Sequence, residues 1–183
     1  MNRLHSAPAM AIIAATLPAF TVSATAPSRE FASETGHFRV RYPGSWHRLA
    51  DRNDVLNIIN FPGNQAVEGV ILNATGAMIQ VSGPPPKART VEDWIRIGLL
   101  DDPLLDKREV PPSNDARGCK TLTRVQWRSD VSGQGKAYYF YTDYYCSTAS
   151  GFYSVLLTNW EGDTNQRHLE QTALAIALSL RVW

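Results

Sequence analysis

The chain carries few charged residues and almost no charge imbalance. Its 183 residues include 18 lysines and arginines against 17 aspartates and glutamates, and charged residues make up 19% of the total. A protein that binds nucleic acid through its overall field normally has a basic excess or a basic stripe, so no nucleic-acid partner is expected. Tyrosine and tryptophan are plentiful, with 7 and 5 residues. Large amphipathic side chains are therefore expected to cover surface that charges usually occupy.

The sequence also lacks the short motifs of catalysis and cofactor binding. It contains no GxSxG elbow, no P-loop and no GxGxxG turn. Its 4 histidines are scattered, and no HxH, HExxH or Cys/His cluster supplies the ligands of a zinc site. Asp51 and Asp54 lack EF-hand spacing and are expected to form a solvated turn. We predict no catalytic residue, no cofactor and no metal, with a hydrolase built from scattered polar residues as an alternative.

The first residues are typical of a secretory signal. An apolar run from Ala9 to Val22 is long enough for a signal peptide but too short to cross a bilayer as a helix. Small residues favour cleavage after Ala24, with cleavage after Ala26 as the alternative. The chain is thus divided into a signal peptide at 1–24, a flexible leader at 25–36 and a single domain at 37–183. The mature protein is expected to be periplasmic or extracellular without a stable membrane span; an uncleaved anchor is the other interpretation.

Alternating and β-branched apolar residues predict strands in two groups, each followed by a helix. The predicted strands are 38–42, 55–61, 67–72, 77–81, 119–129, 136–146 and 152–160. Thr90 and Asp93 form an approximate capping box and predict the start of the first helix, while Asp163 or Thr164 is expected to cap the second. Residues 103–118 are rich in proline and charge and predict an irregular excursion. This order predicts an α+β fold with an antiparallel sheet.

The 2 cysteines, Cys119 and Cys146, flank a predicted hairpin turn at Ser132-Gly133. Counting outward from that turn places the two thiols opposite each other in neighbouring strands, near enough for a disulfide bond. Export would favour the bridge, which should contribute roughly 3 kcal/mol by restricting the unfolded chain. Two free, buried thiols are the alternative.

The same register sets the two faces of the hairpin. It places Val125 opposite Phe140 on the face of the cysteines, and a polar-aromatic set on the other face. The predicted partner-binding face consists of Arg124, Tyr139, Tyr141 and Tyr145. Tyrosine and arginine are enriched among the residues that dominate protein interfaces, which favours a binding role. The other interpretation is that a helix or loop of the same chain covers this face.

Three segments together carry a likeness to a known family. They are Phe38-x-Val40-x-Tyr42-Pro43-x-x-Trp46, the helix start Thr90-Val91-Glu92-Asp93-Trp94 and the closing Leu178-Ser179-Leu180. With these segments the chain resembles the PsbP-like (Mog1/PsbP) superfamily. The resemblance implies an α/β/α sandwich in which an antiparallel sheet of about six strands is flanked by helices. It implies binding rather than catalysis, and it brings no catalytic residue to this sequence.

One functional hypothesis is favoured by the predicted signal peptide, the predicted disulfide bond across the hairpin and the absence of catalytic motifs. The chain is expected to be a non-catalytic accessory or binding protein whose partner is an unknown envelope protein or small ligand. A small envelope hydrolase without a recognisable motif is one alternative. A structural envelope protein is the other, because a net charge near zero favours self-association.

Overall fold

The computed structural model describes residues 27–49, 54–61, 76–111 and 118–183. Within these ranges the chain forms ten β-strands and two α-helices. The predicted signal peptide and the predicted strand at 67–72 lie outside the described residues. No helix in the described ranges combines the length and apolar character that a membrane crossing requires.

The elements follow the predicted order of strands, one helix, strands and one helix. In chain order they are β1 (Ser28–Ser33), β2 (Phe38–Pro43), β3 (His47–Leu49), β4 (Leu56–Ile59), β5 (Ala77–Ser82), α1 (Val91–Leu99), β6 (Leu104–Val110), β7 (Thr121–Asp130), β8 (Tyr138–Ser147), β9 (Phe152–Trp160), α2 (Gln166–Ser179) and β10 (Arg181–Val182). The larger sheet has the spatial order β3-β4-β5-β9-β8-β7-β6, and the smaller one the order β1-β2-β10. Neighbouring strands of both sheets are antiparallel.

Helix α1 begins where the sequence predicts, because Thr90 caps it. The Thr90 hydroxyl accepts a hydrogen bond from the Asp93 backbone N–H at 3.0 Å. Trp94 and Ile95 are its buried residues, and they pack on one face of the larger sheet. The Trp94 ring meets the Tyr145 ring edge-on, with centroids 5.4 Å apart.

Helix α2 covers the opposite face of the larger sheet. Its buried side chains include Leu169, Ala173 and Ile176, which join a core with Leu122 and Val155 of the sheet. The same core takes in residues of the smaller sheet, so α2 lies against both sheets. One helix on each face makes an α/β/α arrangement, and the predicted α+β fold with an antiparallel sheet is confirmed.

Two segments predicted to be irregular are strands. In the predicted flexible leader, Ser28–Ser33 pairs with β2, and Phe31 and Ser33 point into the core. Further along, Leu104–Val110 forms β6 at the edge of the larger sheet, paired with β7. Both strands carry charged residues on their exposed sides, as edge strands commonly do, and this composition resembles that of a loop. Both predictions are wrong for these residues.

The predicted hairpin is present, but its register differs from the predicted one. Val125 lies opposite Asp143 rather than Phe140, a shift of three residues along β8. Because successive side chains of a strand point to opposite faces, an odd shift exchanges the two faces of β8 relative to β7. The predicted grouping of side chains on this hairpin is therefore wrong.

The cause of the shift is a longer connection between the two strands. Asp130 pairs with Tyr138, so the connection is centred on Gln134 and not between Ser132 and Gly133. The Asp130 carboxylate accepts hydrogen bonds from the backbone N–H groups of Ser132 and, at 2.5 Å, Gly135. Gly133 and Gly135 have φ angles of 64° and 69°, which glycine adopts at little cost.

The disulfide bond forms despite the different register. Leu122, and not Cys119, is the strand partner of Cys146. Cys119 lies just before β7. There the Lys120 N–H donates a hydrogen bond to the Ser147 carbonyl at 2.7 Å, which keeps this segment beside β8. The two cysteine Cα atoms are 5.2 Å apart and their sulfurs are bonded.

Candidate functional site

The four residues of the predicted partner-binding face do not share a surface. Arg124 lies opposite Tyr144 and so points toward α2, whereas Tyr139, Tyr141 and Tyr145 point toward α1. The predicted grouping of Arg124 with these tyrosines on one face is wrong because it rests on the incorrect register. Tyr145 is also 1% exposed, which leaves it no area for a partner.

Tyr139 and Tyr141 belong to a continuous row of aromatic rings across three strands. Trp127 stacks on Tyr141 with centroids 5.0 Å apart, and Tyr139 contacts Trp160 at 4.6 Å. Tyr139 and Tyr141 meet edge-on at 6.4 Å. These contacts are of the kind that stabilises neighbouring strands, so the row is accounted for by packing within the sheet.

Arg124 lies at the centre of a polar network between the sheet and α2. One guanidinium nitrogen, Nη1, lies 2.6 Å from Asp106 Oδ2, and the other, Nη2, lies 2.8 Å from Glu170 Oε2. Gln126 Nε2 donates to Glu170 Oε1 at 3.0 Å. The Arg124 side chain is 8% exposed, so two carboxylates from β6 and α2 compensate a buried cation.

A cavity of about 470 Å³ opens beside this network, between β6 and the first turns of α2. We call it the arginine groove. Its principal lining residues are Arg108, Arg124, Tyr144, Arg167, Glu170 and Leu174. Burial raises the pKa of Tyr144, the nearby Arg124 opposes this and Glu170 reinforces it, so Tyr144 keeps its proton as a possible hydrogen-bond donor.

A larger cavity, of about 690 Å³, lies on the other side of α2, facing β2. We call it the tryptophan groove. Its principal lining residues are Arg41, Tyr42, Trp46, His168, Ala175 and Ile176. Trp46 and Tyr42 are each 6% exposed, so the rings form the floor and polar groups stand at the rim.

The turn after β2 shapes the tryptophan groove. The Gly44 N–H donates to the Pro27 carbonyl at 2.6 Å, and the Trp46 N–H donates to the Pro43 carbonyl at 3.0 Å. A Cβ at Gly44 would collide with the Pro27 carbonyl oxygen, so this close approach requires glycine. The residues Tyr42-Pro43-Gly44-Ser45-Trp46 therefore fix both the strand end and the wall of the cavity.

The exposed side of α2 separates the two grooves. Arg167, His168, Gln171 and Ala175 are its exposed residues in this stretch, at helical spacing. Gln171 lines both cavities. The exposed side of α2 and the groove on each side of it thus form one continuous surface.

Of the predicted site residues, only Arg124 lines a groove. The sequence does contain a signal for the tryptophan groove, because the Tyr42-Pro43-x-x-Trp46 motif supplies part of its lining. The contribution of α2 was missed, since its apolar periodicity identifies the buried side of the helix and not what stands beside the exposed one.

Asp143 is the buried acid with the most strongly altered titration. Burial raises its pKa to about 6, although the Ser154 hydroxyl donates to Asp143 Oδ1 at 2.5 Å. It lies opposite Val125 on the α1 side of the sheet and lines neither groove. In the described ranges, no three His, Cys, Asp or Glu residues cluster so that they could hold a metal ion. Asp51 lies outside those ranges.

No protein-family model matches this chain, and no curated protein matches it in sequence. Solved structures do match. The crystal structure of the Ran-binding protein Mog1p from Saccharomyces cerevisiae aligns with a TM-score of 0.50 and 11% identity, over 86% of this chain and 96% of Mog1p. The chain has a Mog1/PsbP-like fold. At this identity the likeness to Mog1p shows the fold alone.

Two further solved structures align with this chain at lower scores. Cyanobacterial PsbP (CyanoP) from Synechocystis aligns with a TM-score of 0.48 and 11% identity, over 88% of this chain and 95% of CyanoP. A protein from Bacteroides thetaiotaomicron aligns with a TM-score of 0.47 and 15% identity, over 84% of this chain. This chain spans 48% of that Bacteroides protein, about half its length.

Proposed function

We propose that this chain is an exported, non-catalytic accessory protein that binds a partner protein across α2 and its two grooves. The observation that carries the proposal is the position of Gln171, which lines both cavities from one exposed helix. A partner that contacts α2 there reaches both grooves at once. Such a concave surface with an aromatic floor and polar rim is suited to a specific partner.

The residue types of the two grooves support a protein partner. Tryptophan, tyrosine and arginine are the side chains most enriched among those that dominate binding energy, and all three are present here. Trp46 and Tyr42 form the floor of one groove, and Arg108 and Arg167 stand at the other. Mog1p, which shares the fold, is itself described as a Ran-binding protein, and a binding role is compatible with that likeness.

Export is supported by the N-terminal sequence and by the disulfide bond. A bonded Cys119–Cys146 pair is stable in the periplasm or outside the cell, where thiols are oxidised. The apolar run before Ala24 has the length of a signal peptide. A partner is therefore sought in the cell envelope.

The test uses one exposed position on α2 and a matched control. Ala175→Arg places a long side chain over the tryptophan groove, and Ala149→Arg makes the same substitution in the exposed turn between β8 and β9. Both positions are exposed, so thermal stability should change little. The expected partner is an envelope protein that the natural chain and Ala149→Arg both capture and that Ala175→Arg does not.

The captured protein is then purified and titrated against all three forms. We expect the affinity for Ala175→Arg to fall at least about tenfold, with Ala149→Arg unchanged. Equal affinity for both variants would show that α2 and its grooves are not the binding surface. If capture instead depends on a small molecule, the tryptophan groove is a ligand site and the proposed protein partner is wrong.

A further inference from the structure

We propose that the arginine groove recognises carboxylates, and that the partner presents an acidic segment to it. The inference rests on the proposed function, because it names the chemistry of the partner at one of the two grooves. It is carried by three properties of the groove: an excess of positive charge, a buried hydrogen-bond donor without an acceptor, and continuity with the exposed side of α2.

The positive charge of the groove is only partly compensated. Asp106 and Glu170 are both bonded to Arg124, and Arg108 shares Asp106 at a longer distance, 3.5 Å. Arg167 forms no ion pair with any described residue, and it is exposed. Glu109 also lines the cavity, but it lies opposite Thr123 and so points to the other face of the sheet from Arg108. Three arginines, Arg108, Arg124 and Arg167, are therefore matched by only two carboxylates, Asp106 and Glu170, which leaves one positive charge in excess.

The groove also contains a buried donor that lacks an acceptor. Arg124 Nε is buried and has no hydrogen-bond partner among the described residues. The Tyr144 hydroxyl reaches a protein acceptor, the Glu170 carbonyl, only at 3.5 Å. Arginine can only donate, and an ionised carboxylate can only accept. A carboxylate is accordingly the ligand group that would satisfy both the charge and the hydrogen-bonding capacity of this cavity.

The shape of the groove favours an acidic side chain on a segment over a small free acid. Val110 and Leu174 add apolar area to the lining, which suits the methylene groups of glutamate. Gln171 joins the groove to the tryptophan groove on the other side of α2. A chain crossing the helix can place a carboxylate in the first groove and an apolar side chain in the second.

A peptide titration on the purified, disulfide-bonded protein tests this inference without the natural partner. The probe is fluorescein-labelled hexaglutamate with an amidated C-terminus, followed by fluorescence anisotropy. Arg108→Gln with Arg167→Gln removes the two exposed cations of the groove. Arg89→Gln with Arg96→Gln removes two exposed cations around α1, on the other side of the sheet. The two double variants have the same net charge, so general electrostatic attraction affects them equally.

We expect the groove variant to bind hexaglutamate roughly tenfold more weakly, and the control variant to bind within about twofold of the natural chain. Raising the salt concentration should weaken binding by the natural chain most. Hexaglutamine with an amidated C-terminus should not bind. If hexaglutamine with a free C-terminus binds with the same arginine dependence, the groove takes a terminal carboxylate. No binding of hexaglutamate, or equal loss in both double variants, would overturn the inference.

Partner capture separates this inference from the proposed function. If Ala175→Arg abolishes capture while the arginine groove variant retains it, binding across α2 stands and carboxylate recognition is wrong. If neither variant reduces capture, the proposed function fails whatever the peptide titration shows. Loss of capture in both, with Arg89→Gln/Arg96→Gln unaffected, is the outcome that supports both proposals.

Discussion

Arg124 and Glu170 form a partly buried ion pair that joins strand β7 to helix α2, with Nη2 and Oε2 2.8 Å apart. They are 46 residues apart in sequence, so the pair closes a long-range contact. Glu170 also receives hydrogen bonds from Gln126, at 3.0 Å, and from Gln166, at 3.2 Å. One carboxylate thus holds the start of α2 in position over the sheet.

Replacing this carboxylate should destabilise the protein. We expect Glu170→Ala to lower the free energy of unfolding by about 2–3 kcal/mol, less than for a wholly unpaired buried charge because Asp106 still neutralises Arg124. Urea unfolding at neutral pH measures the change. Asp93→Ala, which leaves the exposed Arg96 without its acid, breaks an ion pair of a different kind and serves for comparison.

Because the Asp93 carboxylate also accepts a hydrogen bond from the Arg89 backbone N–H, at 3.2 Å, the cleaner control is Arg96→Ala. That change removes only the exposed side of the pair and should cost under about 1 kcal/mol. A Glu170→Ala effect no larger than this would mean that the Arg124 network contributes little to stability.

The disulfide bond is expected to stabilise the fold without setting its register. Cys119→Ser with Cys146→Ser should lower the free energy of unfolding by roughly 3 kcal/mol, since the bridge closes a loop with a sequence separation of 27. Urea unfolding with and without reductant measures this. The free energy of unfolding of the double variant should not change when reductant is added. A natural chain whose stability does not respond to reductant would show that the bond is absent or without effect.

How far the sequence predicts this fold depends on whether local signals decide the feature. The alternation in Phe38–Pro43 and the Thr90 cap are local, and both predictions are confirmed. The hairpin register is not local, because it depends on how Asp130 organises the connection through hydrogen bonds to its backbone N–H groups. An error of three residues at that turn was enough to move Arg124 to the other face.

The candidate site was less predictable for the same reason. The sequence predicts Arg124 as a binding residue, but the arginine groove also requires Arg108, which lies on a strand whose charges resemble those of a loop. It requires Arg167 as well, at the start of a helix whose position follows from packing. Contacts between residues so far apart in sequence are decided by tertiary packing, and no short pattern reports them.

Asp143 should make the folded state more stable in mild acid. Its pKa is about 6 in the folded protein, above the ordinary value of 3.8, so folding favours the protonated form. The stabilisation of the folded state by protonated Asp143 is fully present below about pH 4 and is lost as the pH rises through 6. The free energy of unfolding changes by about 3 kcal/mol over this range.

Asp143→Asn isolates this effect from other titrating groups. Between pH 4 and 7, the urea concentration at the midpoint of unfolding of the variant should change only through the other titrating groups, which the natural chain also has. The difference between the two proteins should favour the variant increasingly toward pH 7, where the natural chain buries a carboxylate. A natural chain and variant with parallel pH profiles would place the pKa of Asp143 near its ordinary value.

The proposed cleavage of the signal peptide should leave the first strand intact. Pro27 provides the carbonyl that accepts the Gly44 N–H at 2.6 Å, and β1 begins at Ser28. Cleavage after Ala24 or after Ala26 preserves both features, whereas cleavage beyond Pro27 would remove the wall that supports the tryptophan groove. We expect the intact mass of protein from an osmotic-shock extract to match a chain that begins at residue 25 or 27, less two hydrogens for the disulfide bond. A full-length mass, or two alkylatable thiols in denatured, unreduced protein, would contradict export.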